Sequence, residues 1–309
     1  MTQENKFYLE PMEQNNYDSL TNIVIKSIQS GCAPWQRSLK AKEFALLRPK
    51  NYKNKTYYKG SNFINLFYQA LENNYPTGLW LSAKDIENLG EKILKNQNPQ
   101  FVFCYLYKPY LDISGNIMRD FSGQKIYKTY IKKYEIYNIA QTTIKPKITL
   151  DEISQNNEII DKIVQNYGVE ISFDLELLDG QCDAMYDAKK HAIYITKKHY
   201  FKSVGEYYGV LLHELAHSTA SIFGRKKPQN DEEYAFEELI AELASFFICS
   251  ELKLDFNAKN SVSYIASWSK LLANPQTSIV KASSQAQKIA KYLLSFAKST
   301  KPSKSLKIA

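Results

Sequence analysis

The chain has 309 residues, of which 44% are hydrophobic and 13% aromatic, so it can build packed cores and is not a disordered chain. Its net charge of +8 is uneven: residues 1–145 carry 20 Lys and Arg against 12 Asp and Glu, residues 146–242 carry 10 against 18, and residues 243–309 carry 10 against 2. The length predicts two domains, and only the basic ends of the chain should attract a polyanion.

The cysteines and the apolar runs exclude several protein classes. Cys32, Cys104, Cys182 and Cys249 are widely separated and form no Cys-x-x-Cys pair, which excludes a disulfide scaffold and a zinc ribbon and favours a reducing compartment. No apolar run reaches the length of a membrane span, and the first residues lack the pattern of a secretory signal. We therefore expect a cytoplasmic protein that does not contact a membrane.

The N-terminal half alternates between helical and strand patterns. Residues 13–30 predict an amphipathic helix that ends at Gly31. The turn that follows presents Trp35, which either packs under this helix or stacks on a ligand. The other predicted elements of this half are helices over 61–73 and 82–89 and strands over 78–81, 101–107 and 125–139.

Two segments of this half mix basic and aromatic residues. Single-stranded nucleic acid is bound by cations that follow the phosphates and by rings on which bases stack, and these segments offer both. A half-buried strand whose tyrosines pack inward while its lysines are solvated would have the same composition, so both interpretations stay open. The candidate DNA-binding residues are Trp35, Arg48, Lys50, Lys53, Lys55, Tyr57, Tyr58, Lys59, Asn62, Lys125 and Lys128.

Residues 141–149, which include Pro146, predict a linker between a first domain of residues 1–140 and a second domain of residues 150–309. The strand predicted over 191–196 directly precedes a helical segment, and we expect it to offer an edge with which an extended peptide can pair. The other elements predicted here are a helix over 151–165, strands over 169–175 and 183–186, and two late helices over 258–272 and 276–297.

The strongest motif is the pattern His-Glu-x-x-His formed by His213, Glu214 and His217 within a helical segment. A spacing of four residues brings both imidazoles to one helix face, which suits two ligands of one tetrahedral Zn²⁺. Glu214 lies next to the first ligand and can take a proton from a bound water. The structural alternative is a buried helix whose histidines bond to backbone carbonyls.

A second helix, for which Asp231 is the predicted N-cap, carries Glu238 and Glu242 on one face beside an apolar stripe. Two carboxylates one turn apart repel each other unless a cation lies near them. We therefore assign Glu238 as the third zinc ligand and Glu242 as the residue that orients a ligand histidine, and the exchanged assignment stays open. We expect Glu237 to be solvated on the surface.

These residues give the chain a resemblance to the ArdC-type antirestriction proteins of mobile elements such as plasmids. The resemblance implies an α+β protein with a small N-terminal α+β single-stranded-DNA-binding domain, followed by a zincin-like metallopeptidase domain with a helical C-terminal part. The matching segments include Gly31 to Trp35, Arg48 to Asn51, Tyr57 to Asn62, Trp80, Tyr186, Ile193 to Ile195, His213 to Thr219, Arg225, Tyr234 to Glu242 and Tyr264 to Trp268.

The resemblance implies an antirestriction protein that is also a zinc metallopeptidase of the gluzincin kind. His213, His217 and Glu238 would hold Zn²⁺, Glu214 would activate water, and the substrate would be an unidentified protein. The alternative is a protein without proteolytic activity that masks single-stranded DNA and whose zinc site is structural or vestigial. A Glu214→Gln variant separates the two, because masking does not need the carboxylate.

Overall fold

The computed structural model describes residues 41–146, 157–173, 183–255 and 275–298, and they form a mixture of helices and strands. The helices predicted over 13–30 and 258–272 lie outside these ranges, as does Trp35. Within the described ranges, none of the helices combines the length and apolarity needed to cross a bilayer.

The described residues of the N-terminal half, from residue 41 on, form a four-stranded sheet with three helices. The sheet order is β1-β2-β4-β3, in which β1 pairs parallel with β2 and the other pairs are antiparallel. The helices and strands predicted here are confirmed, with ends shifted by one or two residues. Their bounds are α1 Ala41–Leu47, β1 Lys50–Asn51, α2 Gly60–Glu72, β2 Leu79–Ser82, α3 Ala83–Asn88, β3 Gln100–Pro109, β4 Tyr127–Asn138 and a 3-10 turn at Ile139–Gln141.

In the C-terminal half, the part of the chain that the structure describes forms a small three-stranded sheet covered by longer helices. The elements predicted over its described residues are present, although β5 is shorter than predicted. Their bounds are α4 Asn157–Tyr167, β5 Glu170–Ser172, β6 Ala184–Asp187, β7 Ala192–Ile195, a 3-10 turn at Lys198–Tyr200, α5 Val204–Ser218, α6 Asp231–Leu252, α7 Pro275–Ser295 and a 3-10 turn at Phe296–Lys298.

The sheet order β5-β7-β6 corrects one expectation. The strand directly before the His-Glu-x-x-His helix is β7, and it pairs parallel with β5 on one side and antiparallel with β6 on the other. Both of its edges are therefore used, and it cannot pair with an extended peptide. All four of its residues are buried, as a central strand requires. In the described part of this sheet, β6 lies at an edge instead.

Side-chain caps fix where the two site helices begin. Ser203 accepts a hydrogen bond from the backbone N–H of Glu206 at the start of α5 (3.1 Å). At the start of α6 the N-cap is Asn230, whose side chain accepts from the N–H of Glu233 at 2.8 Å. The prediction that Asp231 is this cap is wrong by one residue, and Asp231 instead opens the helix as an acidic first-turn residue.

Aromatic packing joins α6 to the N-terminal helices. Phe246 on α6 lies against Phe44 of α1 and against Phe63 and Phe67 of α2, with ring centroids 5.1 to 5.5 Å apart. These residues belong to one continuous hydrophobic core that also contains β7, α5 and α7 side chains. Helix α6 is therefore held from both halves of the chain, which fixes the position of the carboxylates it carries.

Candidate metal centre

Helices α5 and α6 run antiparallel along their contact. The Ser245 hydroxyl donates to the Gly209 carbonyl (2.8 Å), the His213 imidazole lies beside Glu242, and the His217 imidazole lies beside Glu238. The contacts step forward along α5 while they step backward along α6. The antiparallel contact therefore brings two pairs of residues, each pair spaced by one helical turn on its own helix, into one cluster.

Three side chains converge at the centre of this cluster. The Nε2 atoms of His213 and His217 are 3.0 Å apart, and the Glu238 carboxylate lies 3.2 Å from the first and 3.5 Å from the second. In a tetrahedral site with metal–ligand bonds of about 2.0–2.1 Å, neighbouring ligand atoms are about 3.3 Å apart. The observed separations therefore fit three corners of a coordination tetrahedron, and these residues fit a divalent ion.

A carboxylate lies behind each imidazole. Nδ1 of His213 is 3.3 Å from Oε2 of Glu242, and Nδ1 of His217 is 3.3 Å from Oε1 of Glu237. A carboxylate at Nδ1 fixes the ring orientation and leaves Nε2 to face the centre. The Glu242 carboxylate thus lies behind the His213 ring, whereas that of Glu238 lies at the centre of the cluster.

The expectation that Glu237 is solvated on the surface is wrong. Its carboxylate accepts hydrogen bonds from Nε (2.9 Å) and a terminal nitrogen (3.0 Å) of Arg225, in addition to its contact with His217. The Arg225 guanidinium also donates to the carbonyl of Ala216 at 2.7 Å, near the C-terminal end of α5. Arg225 thus ties α5 to α6, a contact between distant segments that leaves no spacing signal in the sequence.

The electrostatics of the cluster favour a bound cation. Burial alone lowers the pKa of His213, but the hydrogen bonds that its ring donates to Glu238 and Glu242 outweigh burial and raise this pKa well above its usual value. Burial likewise lowers the pKa of His217, while Glu237 and Glu238 raise it to about 9. Burial raises the pKa of Glu238, but both imidazoles hold it far below its usual value. The carboxylates therefore stabilise positive charge between the two imidazoles. Without a metal ion, protons on the imidazoles supply that charge.

Glu214 is half-buried and follows His213 on α5. Its charge contributes to the raised pKa of both His213 and His217, so its carboxylate lies near the imidazoles that face the cluster centre. A carboxylate beside an open coordination position can accept a proton from water and return it to a leaving group. The cluster thus contains the side chains that metal-assisted hydrolysis of an amide needs.

Several candidate DNA-binding residues have partners within the protein. The Arg48 guanidinium lies 3.7 Å from the centre of the Tyr57 ring and forms an ion pair with Glu251 at the end of α6. The Lys53 ammonium lies 2.7 Å from the Asp85 carboxylate. Asn62 donates to and accepts from the backbone of Phe103 at 2.8 and 2.9 Å, and so covers the outer edge of β3. The structure shows a structural use for each of these polar groups.

The other candidate DNA-binding residues have fewer polar contacts within the described part of the protein. Lys50 and Lys55 lie over the rings of Tyr57 and Tyr52, at 4.9 and 4.2 Å from the ring centres. Tyr58 is half-buried against the main core, and burial raises its pKa. Lys59 and Lys125 are exposed. The side chain of Lys128 and all of Trp35 lie outside the described part of the chain.

The two basic segments do not lie together. Residues 50–51 pair with β2, which in turn pairs with the end of β4 at Ile136 to Asn138. Lys125 precedes the opposite end of β4, which starts at Tyr127. At about 3.3 Å per residue, Lys125 is on the order of 30 Å from the segment of residues 48–62. The structure therefore offers two separate basic surfaces.

Comparison with known protein families assigns both halves of the chain. Residues 14–135 match the family described as the N-terminal domain of anti-restriction factor ArdC. Residues 158–285 match the family described as a zincin-like metallopeptidase. The two matched segments follow each other in the order that the sequence resemblance implies.

Individual relatives cover most of the chain. The protein y4eC of Sinorhizobium fredii is 23% identical over 284 residues, which are 90% of this chain and 91% of that protein. DNA primase TraC of Escherichia coli is 27% identical over 295 residues, which are 91% of this chain but 20% of TraC.

Crystal structures of the antirestriction protein ArdC from plasmid R388 have the same fold. The metal-free form superposes with a TM-score of 0.71 at 26% identity, covering 91% of this chain and 97% of that one. The Mn(II)-bound form superposes with a TM-score of 0.70 and covers 92% and 99% of the two chains. The predicted fold class, a mixed α+β domain followed by a zincin-like domain, is confirmed.

Proposed function

Because this chain is an ArdC-type antirestriction protein with a zincin-like metallopeptidase domain, we propose that it is a cytoplasmic, single-stranded-DNA-binding zinc metallopeptidase of a mobile element. Residues 1–140 would bind DNA, residues 141–149 would link the halves, and residues 150–309 would carry the peptidase. The observation that supports the peptidase best is the convergence of His213, His217 and Glu238, whose ligand atoms lie within 4.8 Å of one another.

The metal site is proposed from the donor set and its surroundings. Two imidazole nitrogens and one carboxylate are the ligands of catalytic zinc sites that keep one position open for water. The R388 relative has been crystallised with Mn(II), which supports a divalent ion in this family. When bound, such an ion supplies a polarised carbonyl and a water of lowered pKa.

The roles of the protein's own side chains follow from their contacts. Glu214 takes the proton of the attacking water and returns it to the leaving amine. Glu242 and Glu237 hold the Nδ1 sides of His213 and His217, so that both Nε2 atoms stay turned to the centre. Arg225 keeps Glu237 in place and is occupied by that contact, so it serves as a positioning residue.

For DNA, the proposal is supported by exposed or ring-stacked cations in the N-terminal half. Lys50 and Lys55 lie over tyrosine rings and Lys59 is exposed, and this combination of cations and rings is typical of proteins that hold single strands without sequence preference. Such binding releases counterions from the phosphates, so its affinity should fall steeply with salt concentration. The match to the ArdC N-terminal domain supports the same partner.

A Glu214→Gln variant tests the peptidase. The amide keeps the shape of the side chain but cannot take a proton, so cleavage of labelled casein by zinc-loaded protein should fall by about 10²–10⁴-fold while zinc binding persists. Glu158→Gln, an exposed change on α4, is the matched control and should retain cleavage. Full cleavage by Glu214→Gln would remove Glu214 from the mechanism.

The same variant tests whether proteolysis serves antirestriction. In cells challenged with unmodified plasmid DNA, loss of protection in Glu214→Gln but not in Glu158→Gln supports cleavage of a protein target. Full protection by Glu214→Gln supports masking of DNA, with the metal site structural or vestigial. Retained zinc binding in the same preparation ensures that the result reports on the carboxylate.

A further inference from the structure

Beyond the paired ends of β3 and β4 the chain forms a projecting arm of two short hairpins, residues 110–126. Three backbone hydrogen bonds hold its base. The N–H of Tyr110 donates to the Ile126 carbonyl (2.8 Å), the N–H of Met118 to the Tyr110 carbonyl (2.8 Å), and the N–H of Ile126 to the Met118 carbonyl (3.0 Å). Residues 110, 118 and 126 therefore bond to one another, and antiparallel bridges from Leu111 to Ile117 and from Arg119 to Lys125 close one hairpin on each side of Met118. One hairpin turns at Asp112 to Asn116 and the other at Asp120 to Gln124.

The two turns at the ends of the arm have the same sequence pattern, Asp-x-Ser-Gly-x, and the same bonds. In the first, Asp112 Oδ1 accepts from the backbone N–H of Ser114 (2.9 Å) and of Asn116 (2.8 Å). In the second, Asp120 Oδ1 accepts from Ser122 and Gln124, both at 2.9 Å. Gly115 and Gly123 supply the left-handed φ of +83° and +81° that these turns require. The turns are thus closed by their own hydrogen bonds, and their aspartates are used internally.

In each turn the residue after the aspartate is apolar and points into solvent. Ile113 and Phe121 have relative accessibilities of 108% and 115%, the largest among the large hydrophobic side chains of the described residues. Leu111, Ile117 and Met118 on the same arm are also exposed. Exposed apolar side chains are normally scattered singly over a protein surface, so five of them within residues 111–121 indicate a binding surface.

The net charge of the arm and its supporting strands indicates the chemical class of the partner. Residues 105–133 contain six Lys or Arg and two acidic residues, Asp112 and Asp120, for a net charge of +4. Hydrogen bonds from the turn, led by Asn116 for Asp112 and by Ser122 for Asp120, lower the pKa of both carboxylates. The arm therefore presents apolar tips on a support with excess positive charge, which fits a polyanion that has apolar faces.

We propose that Ile113 and Phe121 insert into the base stack where duplex DNA opens into single strands. Proteins that kink DNA insert Phe, Ile, Leu or Met between base steps and hold the phosphates with flanking cations. Sequence-independent single-strand binders instead offer a groove with stacking platforms. A projecting pair of apolar tips fits the first mode, and a junction, where stacking is already weak, is its preferred site. This inference rests on the proposal that the N-terminal half binds DNA.

The test compares three fluorescent probes of the same sequence: a single strand, a blunt duplex and a forked duplex with 2-aminopurine at the junction. We expect the full-length wild-type protein to bind the fork about tenfold more tightly than the single strand, the order expected for one stacked base, and to increase 2-aminopurine fluorescence. The Ile113→Ser/Phe121→Ser double variant should lose both effects and bind the single strand as wild type does. Leu94→Ser, an exposed apolar change outside the arm, is the control and should behave as wild type.

The possible failures are distinguishable. If wild type binds the single strand but shows no preference for the fork, or if the double variant keeps that preference, only the role of the arm is overturned. If wild type binds none of the probes, the DNA-binding proposal falls with it. If the double variant changes only the sedimentation of DNA-free protein, the tips mediate contact between copies of the chain, and the inference is overturned.

Discussion

The metal cluster and the basic segment of residues 48–62 both concentrate charged side chains but use them differently. In the cluster, His213, His217 and Glu238 turn toward one point, with Glu237 and Glu242 holding the imidazoles from behind. In the basic segment, Arg48 and Lys53 point at different partners, Glu251 and Asp85. Convergence of side chains is therefore a stronger indication of a site than their density.

If the cluster is a metal site, loss of one converging ligand should have the largest effect. Glu238→Ala should weaken zinc affinity by more than Glu242→Ala, for which the loss of an orienting carboxylate predicts about 10–100-fold. Competition with a zinc chelator measures both, and the exposed Glu232→Ala is the control. A larger loss in Glu242→Ala would exchange the two assignments.

The second prediction concerns Arg225, which joins α5 to α6. Arg225→Met leaves the half-buried Glu237 carboxylate without its guanidinium, and we expect a loss of about 3 kcal/mol in the free energy of unfolding. Urea unfolding of the metal-free protein measures it, with the exposed Lys226→Met as control. Equal stability of the two variants would show that Arg225 does not support the cluster.

The third prediction uses the raised histidine pKa values. Burial lowers the pKa of His217, but Glu237 and Glu238 raise it to about 9, so the metal-free site holds protons at neutral pH and a metal must displace them. Zinc affinity should therefore increase with pH, by about tenfold per unit for each displaced proton, up to about pH 9. Titration calorimetry in buffers of different ionisation enthalpy counts the released protons. Affinity that stays constant over this range would contradict the described contacts.

The smallest effect is expected in the basic segment. The logarithm of the single-strand binding constant falls linearly with the logarithm of the salt concentration, and we call the steepness of this line the salt slope. Removing one cation that contacts a phosphate should lower the salt slope by about 0.7. Lys59→Ala should show this change, and Lys53→Ala should show less of it because Asp85 already binds that ammonium. Fluorescence anisotropy over a salt series measures both slopes. Equal slopes for the two variants would mean that DNA draws Lys53 away from Asp85.

The sequence predicted the pairs of residues that helix spacing brings to one helix face. A separation of four residues places His213 with His217 and Glu238 with Glu242, whatever the rest of the chain does. It could not predict that Arg225 binds Glu237, that Asn62 covers the edge of β3, or that β7 lies inside its sheet. Each of these depends on a contact between distant segments. The turn at Asp120 to Gln124 is a different case. Its local pattern repeats that of Asp112 to Asn116, so the sequence alone contained the signal for it.

X-ray absorption at the zinc edge of the zinc-loaded, full-length protein tests the metal site most directly. We expect two imidazole nitrogens and carboxylate or water oxygen at about 2.0–2.1 Å from the zinc, and loss of the carboxylate contribution in Glu238→Ala. A first shell without imidazole, or with sulfur, would contradict this expectation, because no cysteine is among the three residues whose ligand atoms converge here.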